Sequence, residues 1–139
     1  MTQPIPQRTL VLLKPDTVRR GLVGEVLSRF EAKGLTIVAM EYQTIDAAKA
    51  DEHYAEHVER DFYPPLRAFV TSGPMVSLVL EGDEAIEVVR AINGATDGRK
   101  AAPGTIRGDL SLSNRENLVH GSDSAESAER EIKIWFPNL

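Results

Sequence analysis

The first strand, Arg8 to Leu13, with its run Leu10-Val11-Leu12-Leu13 followed by Lys14-Pro15, constrains the fold more than any other part of the chain. Successive side chains of a strand point to opposite faces, so an unbroken apolar run reads as a strand covered on both sides. Pro15 ends it, having no N–H to give to a ladder. The next apolar residues, Leu22, Val23, Val26, Leu27 and Phe30, recur at helical spacing, and Gly34 stands where the C-terminal cap of that helix belongs. Thr36 to Thr44 reads as a second strand. Asp46 is expected to cap a short helix through about Ala55, and Pro64 to occupy the first turn of another that runs to Ser72. Val76 to Leu80 is a third strand, Asp83 caps a helix to Ile92, and Leu118-Val119 is a short buried strand leading into His120.

This order predicts an α+β split βαβ sandwich, a four-stranded antiparallel sheet with helices on one face. With 139 residues the chain is expected to form one domain, residues 1–139. The stretch from Asn93 to Asn117 is long for a connection inside such a domain, which points to a binding loop.

Composition excludes several classes. Zero cysteines rule out a disulfide framework and thiolate metal sites, and the opening Met-Thr-Gln-Pro-Ile-Pro-Gln has neither the basic start nor the apolar core of a signal peptide. The longest uncharged run, Ala68 to Leu80, is too short to span a membrane and is broken by Gly73-Pro74. A soluble, cytoplasmic protein is expected. Net charge is −5, so affinity for a polyphosphate must come from a local cluster of cations, and general nucleic-acid binding is not expected.

His120 is the residue richest in chemical context. It lies in Asn117-Leu118-Val119-His120-Gly121-Ser122-Asp123-Ser124, where Gly121 permits a sharp turn and Asp123 with Glu126 spells a capping box. An imidazole beside a helix start stands where free N–H groups and the helix dipole favour an anion. Upstream lie Pro103-Gly104-Thr105-Ile106-Arg107-Gly108-Asp109 and Leu13-Lys14-Pro15-Asp16. Lys14, Arg90 and Arg107 come from distant parts of the chain and sit at element ends, which suits phosphoryl transfer, a reaction that asks mainly for position and positive charge.

These separated motifs, in this order from about Arg8 to Phe136, resemble the nucleoside diphosphate kinase family. The resemblance implies a ferredoxin-like fold and ping-pong transfer of a γ-phosphoryl group from a nucleoside triphosphate to a diphosphate through a phosphohistidine at His120, on Nδ1. It assigns the phosphates to Arg90, Arg107 and Thr96, and the sugar hydroxyls near the reacting phosphate to Lys14 and Asn117. It assigns the base to a slot between Phe62 and Leu66, packing near the histidine to Tyr54, and orientation of the imidazole to Glu131. Base discrimination by stacking is weak, since every base offers a face. Mg²⁺ is expected to arrive on the nucleotide, as no compact carboxylate set suggests a cage. A homo-oligomer is implied, a hexamer before a tetramer.

Two positions depart from the family pattern. Gly98 stands where a proline commonly helps fix a loop between subunits, and Asn114 where many members have an apolar residue near the base. Gly98 is therefore expected to loosen the oligomer, and Gly98→Pro to recover stability.

Other readings are weaker. His53-Tyr54-Ala55-Glu56-His57 has the spelling of an inverted zinc peptidase motif, in which two histidines four apart share a helical face, but zinc needs a third protein ligand and a substrate cleft. Otherwise the segment reads as a solvated helix with only Tyr54 pointing inward. Arg107-Gly108-Asp109 spells an adhesion tripeptide in a chain with no secretory features, and no P-loop occurs. A catalytically reduced nucleotide-binding scaffold of the same fold is the remaining alternative. His120 and the intact set Lys14, Arg90, Thr96, Arg107 and Asn117 argue against it.

Overall fold

In the computed structural model, which describes residues 6–139, the apolar run is strand β1 (Gln7–Leu13), buried on both faces. Residues 1–5, part of the segment read as lacking a leader, lie outside the described residues. Leu10 and Leu12 join one apolar cluster with Met75, Val79 and Trp135, while Val11 and Leu13 join another with Val26, Phe30, Leu78 and Val89. The expectation of helices on one face is thereby corrected. An unbroken apolar strand leaves no face for water, and helices cover both.

After β1 come α1 (Pro15–Arg19), α2 (Val23–Lys33), β2 (Thr36–Gln43), α3 (Ala47–His53), a 3₁₀ turn at Ala55–His57, α4 (Tyr63–Val70) and β3 (Met75–Gly82). Then follow α5 (Ala85–Asn93), α6 (Ile106–Leu110), β4 (Val119–Gly121) and α7 (Ala125–Trp135). The sheet order is β2-β3-β1-β4, with every neighbouring pair antiparallel. This is the expected four-stranded α+β sheet. β4, which carries His120, is a short edge strand paired to β1 through Leu12↔His120. No described helix is long and apolar enough to cross a membrane.

Local signals hold where chemistry is local. Gly34 caps α2 in the left-handed region at φ 105°, and the Asp46 carboxylate accepts from the Lys49 N–H at 2.9 Å. Other caps come from partners that sequence reading did not name. α5 starts after Glu84 at φ 50° without a side-chain cap, and Gln7 Oε1 from β1 accepts from the Ile86 N–H at 2.9 Å in place of Asp83. Ser124, not Asp123, caps α7, accepting from the Ser127 N–H at 3.1 Å. Pro15 does end β1, but it also begins α1, where a missing N–H costs nothing.

The long loop carries structure of its own. α6 is capped by the Thr105 hydroxyl, which accepts from the Gly108 N–H at 2.9 Å, and Asp109 pairs with Arg29 of α2 at 2.9 Å. Gly98 is buried there: its N–H donates to Ser113 O at 3.1 Å, and a Cβ would fall 2.6 Å from Ser111 Cβ and closer still to its carbonyl oxygen. The expected gain from Gly98→Pro is therefore overturned, because proline would remove the donor and drive atoms into backbone.

Candidate active site

β4 is set in place by a strained residue. Leu118 is fully buried at φ 74°, outside the strand proper, and is held on both backbone groups. Its N–H donates to Asp16 Oδ2 at 3.0 Å, and its carbonyl accepts from the Lys14 N–H at 2.8 Å and the Thr17 hydroxyl at 2.6 Å. The β1–α1 junction thus fixes where the chain enters β4, and with it the flanking Asn117 and His120. Gly121 lies in the strand and makes no sharp turn. Glycine is required there because a Cβ would meet Val89 Cγ1 at 2.9 Å and Asn93 Nδ2 at 3.1 Å, where α5 packs on the strand.

The face opposite α5 carries His120, whose Nε2 lies 2.9 Å from Glu131 Oε1 of α7. Ser122, two residues along and so on the same face, donates to the same oxygen at 2.8 Å. Glu131 is buried, with Arg130 at 3.9 Å from its other oxygen. An acceptor oxygen this engaged takes the Nε2–H of His120, which leaves Nδ1 as the nitrogen with a lone pair.

His53 packs beside this pair. Its ring is edge to face with His120 at 4.8 Å between centroids, and the Trp135 indole N–H donates to its Nδ1 at 3.0 Å. Burial first, then His120 and Arg130, hold its pKa well below the ordinary imidazole range. The reading of this segment as a solvated helix with only Tyr54 inward is corrected: His53 is buried and Tyr54 half-buried. α3 ends at His53, so His57, in the next turn, shares no helical face with it and instead lies near Phe62. Peptidase geometry is absent.

Cations line the other side. Lys14 is buried, and its ammonium donates to Asn117 Oδ1 at 2.9 Å. Burial, then Arg107, hold it down at about 8, against a smaller opposing pull from Asp16. Asn117 spends its Nδ2 on the carbonyls of Thr96 (2.9 Å) and Asn114 (3.0 Å), so one side chain ties the lysine to both ends of the loop. Arg107 donates to the carbonyls of Asn117 (3.1 Å), Gly94 (2.8 Å) and Val119 (2.6 Å), and burial, then Arg90, lower it to about 10. It remains a cation. The Leu118 carbonyl and the Ser122 N–H face the β1 side, and Val119 O faces Arg107, so by strand alternation the Gly121 N–H faces the open edge.

Lys14, His53, Arg107, Asn117, His120 and Glu131 open onto one cleft of about 1030 Å³. Arg90, Thr96, Arg107 and Lys14 line it together with His120, Glu131 and Tyr54, and so do Phe62 and Leu66. Phe62 is half exposed, whereas the adjacent Tyr63 is core and donates to Asp51 at 2.7 Å. Asn114 lines the cleft as well.

A cleft that joins a free imidazole nitrogen to convergent cations suits an anion that exchanges a group with the ring. The family model for nucleoside diphosphate kinase matches residues 7–139. The chain belongs to the nucleoside diphosphate kinase family. It is 80% identical over 132 residues to a nucleoside diphosphate kinase of Nocardioides sp., covering 95% of this chain and 98% of that one. A nucleoside diphosphate kinase of Cutibacterium acnes is 62% identical over 96% of each chain. Among solved structures, a nucleoside diphosphate kinase of Halobacterium salinarum in complex with CDP superposes with a TM-score of 0.94 at 46% identity, covering 96% of this chain and 90% of that one.

Every site residue that the family resemblance implied lines this one cleft of the nucleoside diphosphate kinase fold. His53, Ser122 and Trp135 were not anticipated. Ser122 was readable, since it alternates with His120 onto one strand face. His53 and Trp135 were not, because α3 and the end of α7 meet only in the folded chain.

Proposed function

We propose that the chain exchanges γ-phosphoryl groups between nucleoside tri- and diphosphates by a ping-pong route, with His120 Nδ1 as the carrier. The observation that carries this reading is the hydrogen bond from His120 Nε2 to Glu131, which leaves Nδ1 as the nucleophile in the cationic cleft. In the first half reaction the Nδ1 lone pair forms the N–P bond as the bond to the β,γ-bridging oxygen breaks, and the diphosphate leaves with that electron pair. The ring gains positive charge as it does so, and the Nε2–H bond to Glu131 strengthens in step. Lys14, Arg90, Arg107, Thr96 and the Gly121 N–H supply positive charge and donors to the oxygens in flight. The second half reaction is the reverse, with a different diphosphate.

Phe62 and Leu66 hold the base by its face, and Lys14 with Asn117 serves the sugar hydroxyls. Tyr54 packs beside the carrier. Magnesium would be held through the phosphates of the nucleotide rather than by the protein, and would supply charge neutralisation there. Among the described residues the group close enough to hold an ion is His53, His120 and Glu131; its nitrogens suit a softer metal than magnesium, and His120 Nε2 and His53 Nδ1 are already hydrogen-bonded. We read residues 1–139 as one domain that works in the cytoplasm as a homo-oligomer, a hexamer before a tetramer. The oligomer is supported by edge strand β2, where Met40 and Tyr42 are more than half exposed.

The test is incubation with magnesium and ATP labelled in the γ-phosphate. The expected product is a phosphoenzyme labile to acid and stable to alkali, absent from His120→Ala, which still binds nucleotide. Label retained by His120→Ala overturns the assignment.

A further inference from the structure

Neither histidine of the His53-x-x-Glu-His57 segment is used by the reaction as described, yet His53 stands against the carrier. It is buried, with His120 of β4, Glu131 and Trp135 of α7 and Tyr54 from the turn that follows close about it, and it feels the charges of Lys14 from the β1–α1 junction, Arg130 of α7 and His57. The Trp135 N–H can donate to His53 Nδ1 only if that nitrogen bears no proton, which fixes the neutral tautomer with the proton on Nε2. That same bond argues against a metal held by His53, His120 and Glu131, since Nε2 then has no lone pair to offer. What remains is a rigid ring in edge-to-face contact with His120.

We propose that His53, clamped by Trp135, is a positioning residue that braces the His120 ring, so that Nε2 stays on Glu131 and Nδ1 stays turned to the nucleotide. α7 thereby acts on the carrier twice, directly through Glu131 and indirectly through Trp135 and His53. Without the brace, His120 is free to rotate about its side-chain bonds and to exchange tautomers. A neutral brace matters because a charged His53 would set a cation beside a ring that itself becomes positive as the N–P bond forms.

The inference rests on His120 as the phosphoryl carrier, so wild type must first show the phosphoenzyme and His120→Ala must lack it; failure at that stage sinks the parent reading instead. His53→Asn keeps an acceptor for Trp135 while removing the rest of the ring. It is expected to slow single-turnover phosphorylation by MgATP about 10- to 100-fold, with the dissociation constant for a nonhydrolysable ATP analogue within about 2-fold of wild type. Long-range ¹H–¹⁵N spectra are expected to show one His120 tautomer in wild type and a mixture in the variant. Trp135→Phe is the second variant, needed if His53→Asn does not fold. Loss of the indole donor lets His53 take a proton at higher pH, so the acid limb of phosphorylation moves up by about one pH unit, the equivalent of one hydrogen bond. Unchanged rate and tautomer in His53→Asn overturn the proposal, as do equal losses of binding and rate, or an unmoved acid limb in Trp135→Phe.

Discussion

Lys14 shows how one buried charge ties activity and stability to pH in opposite senses. Its folded pKa, about 8, lies below the ordinary 10.5. Below 8 both folded and unfolded chains carry the proton, and the folded state bears the full cost of the buried charge. Between 8 and 10.5 the unfolded chain binds more protons, so stability attributable to Lys14 rises with pH across that window. Activity runs the other way, because the neutral amine offers phosphate no charge. We expect kcat/KM for MgATP to fall as pH passes about 8, with the limb in kcat displaced upward once bound phosphates favour the cation. A flat kcat/KM profile through that region would show that Lys14 does not serve the nucleotide as a cation. Arg107 combines two roles in a different way, since three of its donors already hold backbone carbonyls. Lysine lacks the planar fork, so Arg107→Lys is expected to lose about 2–4 kcal/mol of stability together with phosphorylation rate. Calorimetry beside single-turnover kinetics separates the two, and a wild-type thermal midpoint would mean that the carbonyl bonds contribute nothing.

At the scale of elements, the loop between α5 and β4 is a built surface, pinned by α6, by Arg29 to Asp109, and by Asn117 to Thr96 and Asn114. Gly98 is one of the pins. Gly98→Pro loses a hydrogen bond and overpacks against Ser111, so it is expected to destabilise by roughly 2–4 kcal/mol and to weaken nucleotide binding through Thr96. Urea titration with and without nucleotide checks this; a mutant at least as stable as wild type would show that the loop relaxes around proline. Element boundaries were readable where one residue decides them, as at Gly34 and Asp46. They were not readable at α5, where a residue of β1 supplies the cap.

For the whole molecule, the sheet's two edges have different fates. β4 gives its open side to Arg107 and the cleft, while β2 presents unpaired backbone groups with Met40 and Tyr42 half exposed. If β2 is covered by a second copy, Met40→Lys with Tyr42→Lys is expected to yield a folded, smaller species in sedimentation, since charge desolvated in an interface is costly. An unchanged sedimentation coefficient places the interface elsewhere.

Sequence alone determined the order of elements along the chain and the double-sided burial of β1, because these follow from short-range periodicity, and its separated motifs, through the family they resemble, marked the residues that gather around His120. It did not determine which groups touch. The Nε2 bond to Glu131, the His53 brace against His120, the strained Leu118 locked by Asp16 and Thr17, and the fit of Gly98 against Ser111 all join residues from separate elements. Such contacts depend on distances set by packing the helices against the sheet, and no spacing along the chain encodes them.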